Sequence, residues 1–433
     1  MLKQLTSALF TFKGLYVAFV IAIVFYGQMR LMFGLTPRHI AILLMLIVCY
    51  RKDGAFLAGR YMKAYLVFFL SFVLSATLTG YLSQVLVVNY LSCYVGFWAT
   101  KILAKRYQSG SLLLNLIVVL GVIDAVATIS QSFYPIIAER MLSFLHLNLP
   151  EQYLEKLEKA NGDDEGLMFV RPGIMFATVY NGYFLMTAGV ASLVLLIRKF
   201  RIEKLIPWVV ITFGSICVQE RGPIIILAVL SAFSFYKIFR MKMNRYAFFL
   251  MLFGFAVYYL TDAISSVTIG AMNNDDVRRK RMIVIDDESG LDYTVFVKES
   301  RFGELGLDDT GRSDIYETTF DYLMDHPFIG GYHRLLSIHE DAPHNLFLNA
   351  FIYGGIVGGG AIMLILFWQI KPLWRVLSKR IERTNPVCFF AGLAYVAFTL
   401  NSLLHNRSIV TGEALVWILW ALFYYEHRKY YRR

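Results

Sequence analysis

Apolar segments of membrane-spanning length recur twelve times along this chain, and no other feature restricts its fold so tightly. They lie near 9–33, 37–50, 62–80, 83–104, 112–133, 173–197, 204–218, 222–239, 245–264, 343–370, 385–404 and 408–426. A helix crosses a hydrocarbon core of roughly 30 Å with about 20 residues. It is favoured there because it satisfies its own backbone polar groups. The chain is 57% hydrophobic and only 17% charged, which excludes an ordinary soluble enzyme and a disordered chain. The expected fold is therefore an all-α polytopic membrane protein of about twelve transmembrane helices. Segments 37–50 and 204–218 are short for a span and suit tilted or partly re-entrant helices.

Charge sets the orientation. Alternate connections are basic: Arg51, Lys52, Arg60 and Lys63; Lys101, Lys105 and Arg106; Arg198, Lys199, Arg201 and Lys204. Lys237, Arg240, Lys242 and Arg245 follow, and then Lys371, Arg375, Lys379, Arg380 and Arg383. Positive-inside logic puts these, and both termini, in the cytoplasm. Lys3 and Lys13 precede an apolar run without a small-residue cleavage site, which reads as an uncleaved first span. Cys49, Cys93, Cys217 and Cys388 all sit in apolar stretches and read as small hydrophobes, with no disulfide framework or metal spacing.

The layout that follows is five spans over 1–133, an outer loop with short helices over 134–172, and four spans over 173–264. A large outer loop, 265–342, precedes three spans and a basic tail, 343–433. Both loops are acidic on balance and carry local pattern. Residues 282–297 read as two β runs around Asp287-Glu288-Ser289-Gly290. Ser313 is a candidate cap for a helix with an apolar face at Ile315, Tyr316, Thr319, Phe320 and Leu323, ending before Pro327. Such a face suits the membrane surface.

The chemistry-bearing residues are cations at the outer ends of spans. Arg221 occupies the short connection Gln219-Glu220-Arg221-Gly222; Arg312 stands at the start of the loop helix; His344 opens the tenth span. Arg171 and Arg407 flank other outer ends. Arginine forks bind phosphate oxygens bidentately, so two of them suit a lipid diphosphate. A histidine at a helix start, where the dipole disfavours imidazolium, suits a base for an acceptor hydroxyl. Each residue also has a plainer reading. Arg221 fits an interfacial anchor, Arg312 a solvated loop charge, His344 a helix-start residue, and Arg407 a turn. His339-Glu340-Asp341-Ala342-Pro343 begins like a zinc motif, but proline holds the fifth place. Arg278-Arg279-Lys280-Arg281 reads as a solvated basic run. Nucleic acid is not an expected partner for an outer loop.

Several runs together resemble the O-antigen ligase and O-antigen polymerase superfamily. They are Arg171-Pro172-Gly173, Arg221-Gly222, Gly311-Arg312, Asp325-His326-Pro327-Phe328-Ile329-Gly330 and His344-Asn345-Leu346-Phe347-Leu348. The ligase pattern of His and Asn, nine residues, then Gly-x-x-Gly is met by His344-Asn345 and Gly355-Ile356-Val357-Gly358. The resemblance implies a metal-independent, cofactor-free, inverting glycosyltransferase of the bacterial inner membrane with its site on the periplasmic face. Its donor would be an undecaprenyl-diphosphate-linked glycan. His344 falls on the catalytic histidine, and Arg221 and Arg312 on the pyrophosphate-binding arginines. Arg171, Asn345 and Arg407 are further substrate-binding candidates. The chain departs from the pattern at Ser313-Asp314-Ile315-Tyr316, at Asn349 and at Tyr180-Asn181-Gly182. These departures favour an acceptor-specific polymerase acting on a lipid-linked repeat unit, with a chain-length regulator protein as a further partner. The ligase motif favours transfer to lipid A-core instead. A flippase for the same lipid-linked sugars is the third reading; it would line the mid-membrane with charge, where Asp124 is the main ionisable residue.

Overall fold

The computed structural model describes residues 11–26, 35–54, 59–80, 82, 84–133, 141, 173–175, 178–199, 201–218, 220–240, 279–285, 292–298, 312–331, 345–379, 381–382, 384–403 and 413–431. Eight helices precede the large connection. They are α1 (Phe12–Val24), α2 (Pro37–Asp53), α3 (Arg60–Leu78), α4 (Gln84–Lys105), α5 (Gly110–Phe133), α6 (Thr178–Arg198), α7 (Ile202–Val218) and α8 (Arg221–Arg240). Strands β1 (Arg279–Ile285) and β2 (Asp292–Lys298) follow, then α9 (Arg312–Asp325), α10 (Leu346–Ser378), α11 (Pro386–Ser402) and α12 (Ala414–Tyr431). The fold is a helical, multi-pass membrane bundle. The segment 245–264 lies outside the described residues.

Several helix starts are written locally. Thr36-Pro37 opens α2 with a capping box to His39 and proline in the first turn. Asn385-Pro386 opens α11, the Asn385 side chain accepting from the Cys388 amide at 3.0 Å. Four helices are long and apolar enough to cross a membrane by themselves: Arg60–Leu78, Gly110–Ser132, Tyr180–Arg198 and Leu346–Ser378. Phe12–Val24, Gly222–Tyr236 and Pro386–Ser402 are shorter apolar helices. The short segments 37–50 and 204–218 each become a 17-residue helix, the second with Pro207 inside it.

Helices α6, α11 and α12 form the centre. Helix α11 packs on α6, α8, α10 and α12, while α4 lies along α12 and α3 along α10. From Ala414 to Phe423, α12 is buried on every side, the mark of a helix enclosed by others. Small residues bring α5, α6 and α7 close. A Cβ added to Gly121 would lie 2.3 Å from the Ala188 Cβ, and one on Gly214 would lie 2.7 Å from the Ala125 Cβ. Such contacts replace the hydrophobic driving force that lipid cannot supply.

The large connection holds a two-stranded antiparallel ribbon with Arg279 opposite Lys298 and Ile285 opposite Asp292. The expected β runs are thus present, and β1 extends upstream to take in part of the basic run. Helix α9 begins at Arg312, so Ser313 lies in its first turn and not at its cap; boundaries read from sequence carry this one-residue latitude. It stops at Asp325, two residues before Pro327, which disfavours helix in the residue ahead of it. Its inward side keeps Thr319 and Leu323 from the expected face but takes Tyr322 in place of Phe320. Thr319 is fully buried and Tyr322 is 9% exposed, whereas Phe320 and Met324 are 57% and 67% exposed. Packing against α10 selects the stripe that carries Tyr322.

Candidate functional site

The two ends of the bundle differ in chemistry. At one end lie the Lys101–Asp53 ion pair, a bond from Arg106 to the Lys52 carbonyl, and the pairing of Arg428 with Tyr424. The even-numbered helices α2, α4, α6, α8, α10 and α12 begin at the other end, as alternation of spans requires. Their N-terminal dipoles make that end favourable to an anion.

Arg221 opens α8 at this second end. The next residue, Gly222, lies against α11: a Cβ there would be 2.9 Å from the Asn401 Oδ1. The preceding residue, Glu220, packs on α6, where a Cβ on Gly182 would lie 3.0 Å from its Cβ. Pro223 occupies the first turn, in which an amide has no intrahelical partner to lose. The start of α8 is thus wedged between α6 and α11.

Helix α10 begins at the same end. Asn345 caps it, its Oδ1 accepting from the amides of Phe347 at 2.9 Å and Leu348 at 3.3 Å. That oxygen is therefore committed to the helix start. One turn on, Asn349 is fully buried, and neither of its amide atoms meets a partner among the described residues.

Ten residues into α10 the helix is interrupted. Gly355 has φ 60° and ψ −166°, a conformation open in practice to glycine alone. The interruption frees backbone groups that the turn after α9 takes up. The Gly331 amide donates to the Ile352 carbonyl at 2.8 Å, and the Ile356 amide donates to the Pro327 carbonyl at 2.7 Å. Three glycines make the fit possible. A Cβ on Gly355 would stand 2.1 Å from the Phe328 carbonyl oxygen, one on Gly330 2.4 Å from that of Ile352, and one on Gly331 2.2 Å from the Tyr322 hydroxyl. The runs Asp325–Gly330 and Gly355–Gly358, separate in sequence, therefore include the two halves of one clasp. It joins the helix that begins with Arg312 to the helix that begins just after His344-Asn345.

A polar knot fixes another strand of chain nearby. Gln131 embraces Gly173: its Nε2 donates to the Gly173 carbonyl and its Oε1 accepts from the Gly173 amide, both at 2.8 Å. The Ile174 amide donates to Asp124 at 2.8 Å, and Asn181 donates to Thr128 at 2.8 Å. Gly173 has φ 62°, and a Cβ there would lie 2.1 Å from the Asp124 Oδ1.

Of the six site residues expected from sequence, the structure places the helix starts at Arg221 and Arg312 and the cap at Asn345. The side chains of Arg221 and Arg312, and all of Arg171, His344 and Arg407, lie outside the described residues. Sequence reasoning passed over Gln131, Thr128 and Asn401 as site-building residues. Asp124, Thr128 and Gln131 recur at helical spacing inside an apolar span, a signal that one face of α5 is polar. Arg38 was also missed: its guanidinium reaches Asn89 and the Ile23 carbonyl, tying α1, α2 and α4.

Comparison with known proteins adds one finding. Residues 209–363 match the O-antigen ligase family. No curated protein and no solved structure matches the chain. The matched stretch contains Arg221, the clasp, Arg312 and His344-Asn345, and over it the chain is similar to the O-antigen ligase family.

Proposed function

We propose that this protein is a membrane glycosyltransferase that moves a glycan from undecaprenyl diphosphate to an acceptor sugar hydroxyl. The observation that carries the reading is the family match over 209–363, which embraces both arginines and the histidine expected to do the chemistry. In the proposed reaction His344 takes the proton of the acceptor hydroxyl. That oxygen attacks the anomeric carbon, and the bond to the lipid diphosphate breaks with inversion. Arg221 and Arg312 hold the diphosphate and stabilise its charge as it leaves, the task that preorganised donors perform best in a site shielded from water. Two cations near a diphosphate replace the charge compensation a metal would give, so the reaction is metal-independent. Arg171 and Arg407 are further contacts for substrate. The site faces the periplasm, and both termini face the cytoplasm, because the basic connections lie at the opposite end.

The acceptor is a lipid-linked repeat unit, which makes the protein an O-antigen or surface polysaccharide polymerase working with a chain-length regulator. Its departures at Ser313–Tyr316, Asn349 and Asn181 support that choice. The ligase reading, transfer to lipid A-core, is favoured by the family's description and by the full His344-Asn345…Gly355…Gly358 pattern. Reconstitution with an undecaprenyl-diphosphate glycan and each acceptor separately tests both. A ladder on the lipid-linked acceptor identifies a polymerase; a single addition to lipid A-core identifies a ligase. Transfer to neither refutes the proposal.

A further inference from the structure

At the basic end of the bundle, remote from the clasp, four helix ends line a half-open cavity of about 280 Å³. Asp53 closes α2, Tyr61 begins α3, Lys101 and Lys105 end α4, and Tyr424 and Arg428 come from α12. Ligand cavities run from roughly 300 to 1,000 Å³, so this one suits a head group and not a glycan.

Its charges do not cancel. Lys101, with 7% of its side chain exposed, pairs with Asp53, and the Trp98 indole donates to the same Asp53 oxygen at 3.0 Å. The lining carboxylate is thereby answered inside the wall. Lys105 and Arg428 remain, and among the described residues neither is in an ion pair. Arg428 is held in place: it donates to the Tyr424 hydroxyl at 2.9 Å and lies over that ring. The rest of the wall is aromatic, with Phe97 and Tyr425 rings 6.3 Å apart and Tyr61 edge-on to Tyr424 at 4.7 Å. Arg60 stacks on Trp368 at 4.7 Å beside Tyr61 and adds positive potential there. Three cations against one carboxylate, one of them an immobilised fork, above an aromatic wall form a receptor for a tetrahedral anion with an apolar neighbour. Basic pockets between membrane helices on the cytoplasmic side bind anionic lipid head groups by the same physics.

We propose that this cavity binds a phosphate group through Lys105 and Arg428. The phosphate is either the head group of an anionic phospholipid or free inorganic phosphate. The site is separate from the transfer reaction and does not depend on it.

The test uses the full chain purified in detergent. Short-chain phosphatidylglycerol, short-chain phosphatidylcholine and inorganic phosphate are titrated separately, and bound ligand is counted by native mass spectrometry. Phosphatidylglycerol is expected to bind more tightly than phosphatidylcholine, whose choline cation offsets the charge of the same phosphate. At about 1 kcal/mol per cation near a surface, Lys105→Gln with Arg428→Gln is expected to weaken binding about thirtyfold. Arg201→Gln, which removes an exposed cation elsewhere, is expected to leave binding unchanged. Inorganic phosphate competing with phosphatidylglycerol on the wild-type protein supports the site without any variant, and phosphate binding alone identifies the free ion as the ligand. Equal binding of the two lipids with no binding of phosphate overturns the proposal, as does full binding by the double variant.

Discussion

Gly355→Ala tests whether the clasp between α9 and α10 sets the geometry of the reaction. The added Cβ would lie 2.1 Å from the Phe328 carbonyl oxygen and 2.6 Å from its carbon. Both are well inside ordinary contact, and both partners are backbone, so no side chain can rotate away. The alanine must also hold φ 60° and ψ −166°, at about 1–3 kcal/mol. If the turn withdraws, the Gly331–Ile352 and Ile356–Pro327 bonds are lost, at about 0.5–1.5 kcal/mol each. The sum, about 2–6 kcal/mol, is enough to undock the end of α9 while leaving the central helices packed. Helix α9 has 14 residues, so its far end, where Arg312 begins, lies about 20 Å from the clasp at 1.5 Å per residue. A small swing at the joint moves that end by ångströms, and misplacement by about 1 Å costs on the order of 10²-fold in rate. Glycan transfer by the reconstituted protein is expected to fall about a hundredfold, with membrane abundance and donor-independent melting preserved. Transfer by Gly355→Ala within threefold of wild type would refute the reasoning.

Arg221→Ala, Arg312→Ala and His344→Ala are each expected to abolish transfer while the protein stays in the membrane; wild-type rates in all three remove the site assignment. Arg221→Lys is expected to recover only part of the activity, since an ammonium gives a point charge and no bidentate fork; complete recovery argues against diphosphate binding there. Gly173→Ala, whose Cβ would meet Asp124 at 2.1 Å, is expected to raise KM for the lipid donor and lower the melting temperature; an unchanged KM separates the polar knot from Arg171. EDTA is expected to leave transfer unchanged, and activity lost in EDTA and restored by a divalent ion excludes charge neutralisation by arginines alone.

The chain's own periodicities carried much of the architecture. Long apolar runs become helices in lipid whatever their neighbours, because no other local conformation satisfies the backbone there. Thr36-Pro37 and Asn385-Pro386 open helices, Pro327 follows the end of α9, and the β runs flanking 287–290 pair as a ribbon. All of these are local rules. The face of α9 could not be read this way: Phe320 looks as apolar as Tyr322, and only contact with α10 decides which is covered. The same limit hid the site's framework. Gly330, Gly331 and Gly355 are legible as glycines, but their φ values and their mutual approach exist only when two distant segments meet. Gln131 likewise looks like a stray polar residue until Gly173 arrives to be held by it. Sequence thus determined which segments become apolar helices, through short-range energetics that each segment satisfies alone. Tertiary structure decided which glycines and amides join α9 to α10 and pin the chain after Arg171, because those bonds need partners brought together from distant parts of the chain.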